Sequence, residues 1–162
     1  IDERFLFINL GFNLRPTDIS AAIGNSQIKK LNHIIKIRKK NFKSIRKALL
    51  DDKSFSNKFD ILEENSTNSV VWFGIPIILK STKKNYKAMV TNKLNKFGIV
   101  TRPLISGNFA NQPAIKLYNL KINDSLKNAD FIDKNSFFIG LHNTITTSKS
   151  INYIKKALFA SL

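Results

Sequence analysis

Apolar residues recur at Ile28, Leu31, Ile35, Phe42, Ile45 and Leu49, at spacings of three, four and seven. That spacing puts them on one face of a long helix and leaves a lysine-rich opposite face in solvent. Arg38 falls on the same stripe, so its stem is expected along apolar surface with its head in solvent. The helix is expected to begin at Thr17. Gly24 would then lie inside it and mark a close approach or a kink, not an end. Upstream, Phe5, Leu6, Phe7 and Ile8 give residues 1–9 the look of an extended lead-in that packs against something, a missing domain being one choice. Asp51 to Lys58 is polar and breaks the helix.

Beyond it the period changes. Phe59 to Leu62 is a short strand candidate, and Glu63 to Ser69 is a polar loop. Val70 to Leu79 is the strongest strand signal, rich in β-branched and aromatic residues. Pro76 removes one ladder donor, which predicts an edge position or a bulge. Asn85 to Phe97 has helical spacing through Tyr86, Met89, Val90, Leu94 and Phe97, with Gly98 as a stop. Ile99 to Leu104 is a strand, followed by a loop from Ile105 to Pro113. Ser125 to Asp133 is a short helix with Leu126, Ala129 and Ile132 facing in. Phe137 to Gly140 is a strand, Leu141 to Asn143 a turn that His142 closes, and a last helix shows Ile151, Ile154, Leu158 and Phe159 on one face. The order predicts an α/β domain: a long helix packed across a small, mainly antiparallel sheet, with further helices on its faces.

Composition narrows the class. No apolar run is long enough to span a membrane and no signal-peptide pattern opens the chain, so a cytoplasmic protein is the default. Without cysteines there are neither disulfides nor thiolate metal sites. His33 and His142 lie far apart and suggest no metal site. The 27 Lys+Arg against 11 Asp+Glu leave a formal charge of +16. A charge of that size raises nucleic acid as a partner. The lysines are spread along the chain, however, with one cluster from Lys36 to Lys47, and no nucleic-acid motif accompanies them. A basic nucleic-acid-binding module and a non-catalytic interaction domain stand as alternatives to an enzyme.

Candidate chemistry begins at Gly11-Phe12-Asn13-Leu14-Arg15-Pro16-Thr17-Asp18. Gly11 permits backbone geometry that other residues resist. Arg15 is biased towards extended backbone by Pro16. Thr17 or Asp18 can cap the helix that follows. The loop thus presents Asn13 and Arg15 just ahead of a helix N-terminus, a place that suits phosphate. A capped surface turn would look the same.

The run G-F-N-L-R-P-T-D-I-x-A-A-I-G resembles the G-Y-N-x-R-x-T-x-x-x-A-A-x-G segment of the DegT-type sugar aminotransferases, with Phe12 in place of the usual Tyr. Further along, T-R-P at residues 101–103 resembles the family's small-domain pattern. W-F-G-x-P-I and L-x-x-G-N-x-x-x-Q-P favour its nucleotide-sugar 3-dehydratase branch. The closing strand, turn with a His, and helix also match. The resemblance covers nearly the whole chain but only the C-terminal part of the family's length. It implies a pyridoxal-phosphate enzyme of aminotransferase fold type I, a homodimer with a shared active site, acting as a 3-dehydratase or an aminotransferase on nucleotide-linked keto-deoxysugars for lipopolysaccharide or O-antigen biosynthesis.

By that resemblance, residues 1–50 are an interdomain segment and long helix, and residues 51–162 the small C-terminal domain. The cofactor domain would lie upstream, since the chain opens at Ile1 a few residues from the motif, and this piece alone would be inactive. Asn13 would reach the cofactor phosphate of the partner subunit. Arg15 is a further candidate for an anionic substrate. Arg102, at a strand end, could meet a sugar hydroxyl, a diphosphate or a carboxylate, or form a structural ion pair. Asn108 could bind a sugar hydroxyl or cap its loop. The branch replaces the cofactor-binding Lys by His, which favours dehydration over transamination. Neither His33 nor His142 matches that position, so no catalytic or metal-ligating residue is assigned, and Trp72 has no catalytic role.

Overall fold

The computed structural model describes residues 3–65, 67, 69–81, 83–118, 120–122 and 125–162. Residues 1 and 2 of the lead-in and 66 and 68 of the polar loop lie outside them. The element order is α1 (Asp18–Ile28), α2 (Leu31–Leu50), α3 (Lys53–Ser56), β1 (Phe59–Ile61), β2 (Gly74–Leu79), α4 (Tyr86–Lys96), β3 (Thr101–Pro103), α5 (Lys127–Asn135), β4 (Ser136–Gly140) and α6 (Ser148–Ser161). The strands form one antiparallel sheet in the order β1-β2-β4-β3.

Side chains alternate across a strand, so register decides which residues share a face. Phe59 pairs with Leu79, Ile61 with Ile77, Ile77 with Phe137 and Ile75 with Ile139. All seven of these side chains are buried, in one cluster with Phe42, Ile45 and Leu49 of α2, Val90 and Leu94 of α4, and Ala157 and Leu158 of α6. Each of the larger ones, the Val, Leu, Ile and Phe side chains, contributes about 1.5–3 kcal/mol on burial. The other face carries Gly74, Pro76, Phe138 and Arg102. Gly74 is required by close approach: a Cβ there would stand 2.4 Å from the Phe138 ring.

Pro76 does not lie on an edge strand, because β2 pairs on both sides. β1 ends at Ile61, opposite Ile77, so at Pro76 the strand has β4 as its neighbour and nothing from β1. A missing donor is tolerated where one side of the strand is already open. The strand also starts later than its apolar run. The carbonyls of Trp72 and Phe73 accept from Arg38 Nη2 at 2.7 and 2.6 Å, and Arg38 Nε adds a 3.1 Å bond to Trp72 O. Arg38 therefore docks its head instead of leaving it in water. Trp72 stacks on Phe42 with ring centroids 5.1 Å apart.

The long helix is interrupted at Lys29 and Lys30, with no glycine or proline there. Lys30 N–H bonds to Gln27 O, an i→i−3 contact that tightens the ladder before α2 begins. Gly24 meets nothing within 4 Å and makes no close approach in this chain. The apolar stripe also outruns the core: Ile28 and Leu31 are 68% and 46% exposed, whereas Phe42, Ile45 and Leu49 are buried. Phe159 is another departure. It lies outside the core, edge-on to Phe55 and beneath the Lys58 ammonium.

Asn41, buried in α2, donates to His142 O and Thr144 O at 3.0 and 2.6 Å and accepts from Thr146 N. This amide closes the turn after β4. His142 takes part through its backbone carbonyl, and its side chain is exposed.

Asp52 caps α3 through Ser54 and pairs with Lys155 of α6 at 2.9 Å. The hydrogen bond from the Ser54 side chain, then that from Lys155, lowers its pKa to about 2. A carboxylate depressed in the folded state stabilises fully above its unfolded pKa, and that contribution is lost as pH falls through the folded value. Acid unfolding followed by circular dichroism should therefore show wild type losing stability between about pH 4 and pH 2. Asp52→Asn should start less stable at neutral pH and lose less over that window.

Candidate functional site

The motif loop is exposed. Thr17 takes the cap: its Oγ1 accepts from Ser20 N, and α1 starts at Asp18. The left-handed residue of the loop is Asn13 at φ 52, not Gly11. Asn tolerates that region because its short amide sits clear of the backbone. The Asn13 amide and the Arg15 guanidinium have no partner among the described residues. Phe12 and Leu14 beside them are 91% and 84% exposed.

The lead-in packs within this chain. Phe7 N–H donates to Gln112 Oε1 at 3.0 Å, and Phe7 O accepts from Ala114 N at 2.9 Å. The Phe7 ring meets Phe109 edge-on at 5.6 Å, and Tyr118 Oη donates to Asn9 Oδ1 at 2.6 Å. Gln112 is buried, and its Nε2 donates to Ser106 O at 3.3 Å. The sequence quoted Gln112 in a string and gave it no role, because its main partner lies 105 positions away.

β3 delivers Arg102 to a cleft of about 1100 Å³ lined by Arg4, Lys83, Lys84, Lys87, Lys127 and Lys134, with Asp130 and Asp133 among them. Arg102 is exposed and makes no ion pair among the described residues. The structural ion pair considered from sequence is therefore not what holds it. An unpaired guanidinium fork among ammonium groups is suited to an oxyanion.

Asn108 is buried. Its Oδ1 accepts from Ala110 N at 3.1 Å and its Nδ2 donates to Asp130 Oδ1 at 2.7 Å. Asn111 donates to the same oxygen at 3.0 Å. The Asn108 hydrogen bond first, and then that of Asn111, holds the Asp130 carboxyl below the usual range. The loop-capping reading of Asn108 thus describes both ends of its amide here. Gly107 has φ +57, and a Cβ would stand 2.0 Å from Asp133 Oδ1.

Asn13 can supply one donor to a cofactor phosphate. No lysine is buried among the described residues, and the acid that ends the motif loop, Asp18, is exposed at the start of α1. These residues fit the phosphate end of pyridoxal phosphate and no other part of it. No group of three His, Cys, Asp or Glu is placed to hold a metal among the described residues.

The profile of the DegT/DnrJ/EryC1/StrS aminotransferase family matches residues 1–158. The chain belongs to that family. It is 33% identical over 158 residues to a GDP-4-keto-6-deoxy-D-mannose 3-dehydratase of Escherichia coli O55:H7, covering 97% of this chain and 39% of the relative. The Yersinia pseudotuberculosis protein of the same name is 37% identical over 142 residues, covering 87% and 35%. Among solved structures, the E. coli dehydratase with bound hydrated pyridoxal phosphate superposes with a TM-score of 0.75 at 31% identity, over 97% of this chain and 39% of that one. The chain thus spans a little over a third of the relatives' length. The fold is the α/β small-domain architecture of the aminotransferase family, as the motifs implied. No described helix is long and apolar enough to cross a membrane.

Gly107→Ala is expected to destabilise the chain by roughly 1–3 kcal/mol, since it adds left-handed strain and a clash. Urea unfolding reads this directly. A midpoint equal to wild type would mean that the 104–113 loop does not hold its geometry in solution.

Proposed function

We propose that this chain forms the C-terminal part of a pyridoxal-phosphate-dependent enzyme of nucleotide-linked keto-deoxysugars, within lipopolysaccharide or O-antigen biosynthesis, and that its reaction is 3-dehydration. Residues 1–50 serve as interdomain segment and linking helix, and residues 51–162 as the small domain. The observation that carries the reading is Arg102, which lines a cleft rich in cations and makes no ion pair among the described residues. A nucleotide sugar brings a diphosphate, and a guanidinium fork in a positive field suits such an anion. The relatives support the reaction class: two are named 3-dehydratases, and one related structure holds GDP-perosamine.

When bound, pyridoxal phosphate supplies the electron sink for the sugar chemistry. This chain's contribution is binding. Asn13 donates its amide N–H to the cofactor phosphate in the partner subunit, which makes the site a shared one. Arg15, exposed on the same loop, adds positive charge near that anion. Arg102 grips the substrate diphosphate. Asn108 holds the loop beside Arg102 in place, and the catalytic side chains come from elsewhere in the full enzyme.

The test uses the full-length dimer. Arg102→Lys keeps the charge but loses the fork, and should raise KM for the nucleotide sugar about tenfold with kcat little changed. Asn13→Ala removes a hydrogen bond to a charged group, about 1.5–3 kcal/mol, and should weaken pyridoxal phosphate about ten- to a hundred-fold. Unchanged KM in the first variant would overturn the assignment of Arg102. Unchanged cofactor affinity in the second would leave Asn13 a turn residue.

A further inference from the structure

The segment that leads to Asn13 and the loop that follows Arg102 are joined through one buried amide. Gln112 accepts from Phe7 N–H and donates to Ser106 O, so it holds the lead-in with one end and the loop with the other. Three further contacts run alongside: Ala114 N to Phe7 O, Phe7 on Phe109, and Tyr118 Oη to Asn9 Oδ1. All lie between residues 7–9 and 106–118. Beyond Asn9 nothing comparable among the described residues holds the chain until Thr17 caps α1. Leu10, Phe12 and Leu14 are exposed between these two points. Among the described residues, the Gln112 bond to Phe7 is thus the buried side-chain tie nearest Asn13 on its N-terminal side.

From this we infer that Gln112 is a positioning residue for Asn13, and that the lead-in and the 106–118 loop act as one rigid splice between the substrate side and the phosphate side of the enzyme. The inference rests on the reading of Asn13 as a phosphate ligand and adds to it the residue that aims the ligand. The physical basis is burial. A buried amide with both ends bonded has one low-energy arrangement, because releasing either partner leaves a polar group unsatisfied. An exposed amide would fix nothing. Asn108, bonded to Asp130 at the other end of the loop, keeps the Ser106 side from moving instead.

The experiment compares Gln112→Ala, Asn13→Ala and a Val90→Ala control in the full-length enzyme. Val90 is fully buried in the core cluster with α2 and α6. Two quantities are read: hydrogen exchange at the Phe7 and Ala114 amides, and affinity for pyridoxal phosphate itself by absorbance titration. Gln112→Ala should speed exchange at Phe7 and weaken the cofactor about three- to tenfold, the effect of one neutral hydrogen bond. Val90→Ala should lower the melting temperature and leave the cofactor affinity at the wild-type value. Tyr118→Phe, which removes one exposed contact of the splice, should shift both readouts the same way by a smaller amount and serves if Gln112→Ala fails to fold. Weaker binding in Asn13→Ala with unchanged binding in Gln112→Ala would overturn the splice while the Asn13 reading stands. Unchanged binding in both would overturn both. Equal weakening in Val90→Ala and Gln112→Ala would also overturn the splice, since general loosening would then explain the effect.

Discussion

Strand alternation is the constraint on which the structure depends. With β2 paired to β1 on one side and β4 on the other, a single register places Phe59, Ile61, Ile75, Ile77, Leu79, Phe137 and Ile139 on one face. A slip of one residue would turn that whole set outward and bring Pro76 and Phe138 into the core. The helices follow from the face so made. α2, α4 and α6 each contribute only the side chains that reach it, which is why the buried part of α2 is its second half.

Polar side chains then fix how the helices and loops lie on the sheet. Arg38 takes two backbone carbonyls just before β2, and Asn41, one turn further along α2, holds the loop just after β4. The same helix therefore clamps the approach to one central strand and the exit from its neighbour. Groups with these partners are costly to bury alone, and the arrangement is unique for that reason. Asp52 and Lys155 add a third tie, between α3 and α6.

The two ends of the molecule differ in chemistry. The cleft beside Arg102 is lined by several lysines and two arginines, with Asp130 and Asp133 among them. The Asn13 loop and α1 expose Phe12, Leu14, Ile19 and Ile23 instead. Apolar side chains exposed in series on a loop and helix have the chemistry of a surface that another protein surface covers.

Periodicity and motif carried much of this protein unaided. The stripe from Ile35 to Leu49, the β-branched run before Leu79, the glycine stop at Gly98 and the Thr17 cap are local signals whose physics acts within a few residues. Helices and strands formed where those signals stood. The string T-R-P-L-x-x-G-N-x-x-x-Q-P pointed to a family, although it gave no role to Gln112. What tertiary structure alone decided was long-range partnership. Arg38 looked like a solvated head on an apolar stripe until the Trp72 and Phe73 carbonyls came within reach. Pro76 looked like an edge residue until the register showed a central strand with one side open. Asn41 was one polar residue in a basic helix, and His142 a turn-closing side chain, until the buried amide took the carbonyl instead. Each depends on a partner some thirty to a hundred positions away, and a sequence pattern carries no record of what folding will bring beside it.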